Sequence, residues 1–192
     1  MRKVKVYSVV SVEGYACGEH GEVDWLLESD IPGGIDYGMN RFYGEIDTVV
    51  MTRNFYSTMY TCELCHVFLD RRCIVVKSPL EGEIAARGNF EHIPYDEGFA
   101  GALKRVEALR ATAGADIWIA GGIRLVNAFF EAGMIDEVYL TILPVSLPRG
   151  IRLFPASFNE NNWRTETIRD YGNGVVQLHY RSSVGSEDLS IN

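Results

Sequence analysis

Three short apolar runs constrain this chain more than any other feature. Asp47-Thr48-Val49-Val50-Met51, Cys73-Ile74-Val75-Val76 and Ile117-Trp118-Ile119-Ala120 lack the in–out alternation of a strand with one wet face, and each is too short for a buried helix. Strands apolar on both sides belong inside a mostly parallel sheet covered by helices on each face. The segments between them agree. A helix is expected over 53–60. Between Gly98 and Thr112, Leu103, Val106 and Leu109 recur at helical spacing among Lys104, Arg105, Glu107 and Arg110, which predicts an amphipathic helix.

The rest of the chain supplies the other layers. Residues 3–12 read as a first strand, and Gly14 and Gly18 open a long loop that holds Trp25. A short helix is expected over 35–44, and Phe90-Glu91-His92-Ile93 is a weaker strand. Gly133 stops the helix that carries Leu125, Val126, Phe129 and Phe130, where a C-terminal glycine belongs. Glu137–Leu143 is a strand closed by Pro144, and 163–169 pairs with 174–181 as a hairpin across Asn173-Gly174. The expected fold class is α/β: one domain over 1–182, a mostly parallel sheet with a C-terminal antiparallel hairpin, helices on both faces, and a polar tail at 183–192.

Composition narrows the function. A net charge of −8 argues against nucleic acid or an anionic membrane surface as partner, since both need clustered Lys and Arg. No apolar stretch approaches the roughly 20 residues that span a bilayer, and Lys5 interrupts the N-terminal run that would otherwise suggest a signal peptide. A cytoplasmic protein with reduced cysteines is expected. A local basic pocket for one phosphorylated ligand is compatible with an acidic protein.

The strongest chemical feature is the strand–Gly121-Gly122–helix junction. Such a turn aims first-turn N–H groups and the positive end of a helix at one point, which favours a phosphate, although a Gly-Gly turn also serves as a plain structural joint. No Gly-Lys-Ser/Thr follows, and the three-glycine spacing of the common dinucleotide motif is missing.

At this point the chain resembles a known family. IWIAGGIRLVNAFFEAGMIDEVYLTILPVSLPRGIRLFP (117–155) is similar to the dihydrofolate reductase-like proteins that include the reductase domain of bacterial riboflavin biosynthesis. Ser11-Val12-Glu13-Gly14-Tyr15-Ala16 resembles the family's Ser-Leu-Asp-Gly-x-Ile-Ala, and Gly21-Glu22-Val23-Asp24-Trp25-Leu26 its Gly-x-x-Asp-Trp-Leu. Asp47–Tyr56 resembles its Asp-Thr-x-x-Met-Gly-Arg-Lys-Thr-Tyr. The resemblance implies a dihydrofolate reductase-like fold, NADPH as cofactor and a homodimer. It also implies an oxidoreductase acting on a pterin or a ribityl-pyrimidine, as dihydrofolate reductase or 5-amino-6-(5-phosphoribosylamino)uracil reductase does. The other reading is a non-catalytic ligand-binding or regulatory protein on the same fold.

The resemblance assigns roles to individual residues. Gly121, Gly122 and Ile123 would meet the pyrophosphate, Thr52 and Arg53 with Ser78 the adenosine side, and Ala16 and Cys17 the nicotinamide. Trp25 and Thr141 would contact substrate. Asp24 is the candidate acid, with Trp25 beside it to desolvate its carboxyl; its other reading is a loop or helix-cap aspartate. Thr52, Asn54 and Phe55 depart from the family's Gly, Lys and Thr, and Glu13 from its Asp.

Cys62-Glu63-Leu64-Cys65-His66 has the spacing of a haem-attachment motif, and Cys73 would add a metal ligand. With no export signal and no second Cys/His pair, these thiols read as buried apolar side chains, and no metal is expected.

Overall fold

The computed structural model describes residues 1–27, 35–61, 70–76, 90–94, 96–156 and 163–183. The Cys-x-x-Cys-His motif, Ser78 and residues 184–192 of the tail lie outside them.

Strands β1 (Val4–Val10), β3 (Ile46–Thr52), β4 (Arg72–Val76), β5 (Phe90–Ile93), β6 (Asp116–Gly121) and β7 (Glu137–Ile142) run parallel. They join β9 (Trp163–Asp170) and β10 (Val176–Ser182) in one sheet of order β5-β4-β3-β6-β1-β7-β10-β9. β10 runs antiparallel to both its neighbours, so the hairpin closes one edge as its turn residues predict. The three apolar runs occupy β3, β4 and β6, near the middle of the sheet.

Alternate residues of β1 feed two cores. Val4, Val6 and Val10 pack with α4 (Gly98–Arg110) and α5 (Ile123–Glu131) through Ala102, Val106, Leu109, Leu125, Val126, Phe129 and Phe130. Tyr7 packs on the other face with Phe42 of α2 (Met39–Gly44), and Phe55, Tyr56 and Met59 of α3 (Arg53–Thr61) lie against the same cluster. Burying side chains such as Phe129 and Leu125, both at 0% exposure, contributes about 1.5–3 kcal/mol each.

Two elements lie in the stretch read as loop. Tyr15–Cys17 forms β2, paired antiparallel with β8 (Ile151–Arg152), and Asp24–Leu27 forms the single turn α1. The helix expected over 35–44 starts only at Met39. Tyr37 and Gly38 adopt φ of 48° and 80°, a left-handed pair that no α-helix continues through. The Asp36 carboxylate accepts the Gly38 and Asn40 N–H at 3.0 and 3.1 Å, which caps the shortened helix.

Candidate functional site

The register of the sheet brings the C-terminal ends of β3 and β6 together, with Met51 opposite Gly121. β6 enters α5 through Gly122, whose φ of −40° and ψ of 153° any residue can adopt. Glycine is needed here for close approach. A Cβ on Gly121 would stand 2.3 Å from Phe55 Cδ2, and one on Gly122 2.9 Å from Thr52 Oγ1. The space above the junction is thus filled by this chain's own side chains.

Thr52 holds that arrangement. Its hydroxyl oxygen accepts the Gly122 N–H and the Phe55 N–H, each at 3.3 Å, the long end of hydrogen-bond geometry. Arg53 follows at the first position of α3. Ile123 and Ala16 of β2 both pack against the first core.

The sequence reading missed Arg124. It lies exposed in the first turn of α5 and makes no ion pair or hydrogen bond among the described residues. A cation at a helix N-terminus opposes the helix dipole by about 0.3–1 kcal/mol, so it gains from an anion there. The signal was available: a basic residue two positions after a Gly-Gly junction.

β2 and the turn before it are tied to the loop after β7. Glu13 accepts hydrogen bonds from Ser146 Oγ, from Ser11 Oγ at 2.7 Å and from the Leu147 N–H at 3.1 Å. These bonds, the Ser146 one foremost, hold its carboxyl at about 2. The departure from the family's Asp is thereby explained, since the longer side chain bridges two loops. Cys17 is 6% exposed, and burial, with the Glu22 charge adding to it, raises its thiol above the usual range. At β8, a Cβ on Gly150 would lie 2.4 Å from the Cys17 carbonyl oxygen.

Asp24 is exposed at the first position of α1, next to Trp25. Trp25 is half-buried, and its indole Nε1 is buried with no acceptor among the described residues. An orphaned buried N–H donor is rare and costly.

Thr141 is 1% exposed. The Gln177 amide donates to its hydroxyl at 2.9 Å and to the Tyr37 carbonyl at 2.7 Å, and Tyr7 Oη donates to the same carbonyl at 2.9 Å. These bonds fasten the strained Tyr37 over Thr141, and burial raises the Tyr7 hydroxyl. Thr141, expected to contact substrate, is thus buried beneath these bonds. Cys73 is a buried free thiol on β4 that burial pushes up to about 12, out of reach of thiolate chemistry at neutral pH.

This sheet order and its covering helices define the dihydrofolate reductase-like class of fold. The chain belongs to the RibD C-terminal domain family, whose profile matches residues 2–177. It is 34% identical over 179 residues to the uncharacterized protein YwjB of Bacillus subtilis (strain 168), covering 93% of this chain and 97% of that one. Among solved structures it resembles a diaminohydroxyphosphoribosylaminopyrimidine deaminase/5-amino-6-(5-phosphoribosylamino)uracil reductase from Thermotoga maritima, with TM-score 0.64 and 12% identity. That match covers 94% of this chain and 56% of the other. It also resembles Enterococcus faecalis dihydrofolate reductase in complex with NADP(H) and RAB-propyl, with TM-score 0.61, 17% identity, and 94% and 96% coverage. No described helix is long and apolar enough to cross a membrane.

Proposed function

We propose that this protein is an NADPH-dependent reductase of a small pterin-like or ribityl-pyrimidine-like molecule. The observation that carries the reading is the β6–Gly121–Gly122–α5 junction with Arg124 exposed in its first turn. A helix N-terminus beside an unpaired cation suits a phosphate-bearing ligand. Family membership and the NADP(H) complex of a fold neighbour support the same cofactor.

Gly121, Gly122, Ile123 and Arg124 would hold the pyrophosphate, and Arg53 the adenosine 2′-phosphate, for which its planar fork is suited. When bound, the nicotinamide supplies a hydride. The chain's own part is to orient the acceptor and furnish a proton. Asp24, beside Trp25 at the start of α1, is the proposed proton donor, on the strength of its place in the family's Gly-x-x-Asp-Trp-Leu motif. The orphaned Trp25 Nε1 would donate to a carbonyl or ring nitrogen of the substrate, which satisfies the indole and fixes the ring. Ala16 and Cys17 would form an apolar wall from which water is excluded.

Oxidation of NADPH, followed at its nicotinamide absorbance against pterins and ribitylamino-pyrimidines, tests this. Turnover with one of them is expected, and Asp24→Asn should lower it roughly 10²-fold with NADPH affinity unchanged. A second reading, a non-catalytic binding protein, is favoured by the buried Thr141 and by the side chains over the junction. Tight NADPH binding without consumption by any acceptor would select it.

A further inference from the structure

Two departures from the family pattern, Thr52 for Gly and Phe55 for Thr, lie three residues apart, at the end of β3 and in the first turn of α3. Both converge on the same distant turn. Phe55 lays its ring on Gly121, and Thr52 takes the Gly122 N–H. A smaller side chain at 55 and none at 52 would leave both glycines open. The ring is half-buried and packs against the second core, whereas the two Thr52 bonds are long. The arrangement is therefore stable alone and weak enough to open.

We propose that Phe55, assisted by Thr52, is the residue that sets cofactor affinity and selectivity in this protein, by acting as a built-in stand-in for the dinucleotide on the Gly121–Gly122 turn. The inference rests on the proposed cofactor site. The stand-in has two parts that match the two parts of a ligand at such a turn. The Thr52 hydroxyl oxygen replaces a phosphate oxygen as acceptor for the Gly122 N–H, and the Phe55 ring fills the space beside Gly121 that the pyrophosphate would take. For the dinucleotide to lie on this turn, the ring must rotate off Gly121 and Thr52 must release the amide. The packing lost in that rotation is subtracted from the affinity of any ligand that needs Gly121. It leaves ligands that reach only Ile123 and Arg124 unaffected.

Calorimetric titration of NADPH, and separately of inorganic pyrophosphate as a probe of the turn without the rest of the dinucleotide, into the wild type, Phe55→Thr, Thr52→Gly and the double variant tests the proposal. Phe55→Thr should bind NADPH at least 10-fold more tightly, the double variant more tightly still, and pyrophosphate affinity should rise in the same order. Circular dichroism checks each fold. Should Phe55→Thr fail to fold, Phe55→Leu keeps an apolar side chain on the second core and should give a smaller gain of the same sign. Phe55→Trp adds a readout independent of affinity, because its indole emission should shift when NADPH displaces it. Equal or weaker NADPH binding by Phe55→Thr, with the wild type binding measurably, would overturn the role of Phe55 and leave the cofactor site standing. Absence of NADPH binding in all four proteins would overturn the site itself, and the stand-in with it.

Discussion

The opposite ends of the central sheet treat charge differently. At the N-terminal ends of β1, β6 and β7, Lys5 is 3% exposed and reaches Glu45 at 2.6 Å, Asp116 at 2.8 Å and Glu137 at 3.4 Å. Glu137, 2% exposed, also meets Lys3 at 2.6 Å, Arg181 at 3.2 Å and His179 at 3.3 Å. Arg2 binds Asp47, and Arg110 binds Asp136 at 2.8 Å. At the C-terminal ends of β3 and β6, the glycine turn meets the Phe55 ring and the Thr52 hydroxyl, and Arg124 just beyond it makes no ion pair or hydrogen bond among the described residues. The cluster at the N-terminal ends pairs its buried charges with one another and serves the fold. Groups left unsatisfied at the other end are the ones a ligand can complete.

Breaking the saturated end should have the largest effect on stability. Lys5→Met leaves Glu45, Asp116 and Glu137 facing one another, and loss of a buried partner typically costs about 3–5 kcal/mol. Urea denaturation measures it, and NADPH affinity of the folded fraction should be unaltered. A loss within 1 kcal/mol would mean that the cluster is not what fastens this end.

At the other end, Arg53→Ala should cost NADPH about 1.5–3 kcal/mol of binding and NADH almost nothing, the range for hydrogen bonds to charged groups. Calorimetry with both cofactors checks it, and equal affinities in the wild type would remove Arg53 from the site. Gly121→Val should destabilise by about 1–3 kcal/mol through overpacking against the Phe55 ring. Phe55→Ala in the same chain should recover part of that loss. A strictly additive double mutant would show that ring and glycine do not touch.

The pH dependence separates the ends further. Burial raises Glu137, but hydrogen bonds from His179 and Lys3 and the charges of Lys5 and Lys3 outweigh it and hold the carboxyl well below its usual 4.5. Its contribution is present above that value and disappears as pH falls through the depressed one. Burial lowers Lys5, but hydrogen bonds to Asp116 and Glu45 and the charge of Glu137 raise it above 10.5. That contribution is complete below pH 10.5 and is lost as pH rises through the higher value. The contribution of this pair should accordingly be flat between about pH 5 and 10 and fall on both sides. Glu137→Gln should flatten the acid limb, as denaturant melts across pH would record. The smallest effect belongs to Glu13→Ala, which should speed amide exchange at Leu147 without altering the global transition, because the tie joins two loops outside both cores.

Much of this architecture was legible in the chain. Continuous apolar runs placed β3, β4 and β6 because a strand with two dry faces leaves no other pattern, and Asn173-Gly174 placed the hairpin. The resemblance carried the family and the fold. Elements held by distant partners were not legible: β2 exists through β8, more than 130 residues away, and α2 begins late because Tyr7 and Gln177 grip the Tyr37 carbonyl.

Local spacing determined which segments are strands and helices and that a glycine turn leads into a helix, since those depend on neighbours in sequence. Tertiary structure alone decided what lies on that turn. Whether Gly121 and Gly122 face a ligand or a side chain depends on Phe55 and Thr52, about 70 residues earlier, and only the register of β3 against β6 brings them into contact. The same holds for Thr141, which a motif can mark but which strands β1 and β10 and the Tyr37 carbonyl enclose. Burial is a property of all the segments that meet at a point, and no stretch of sequence contains them together.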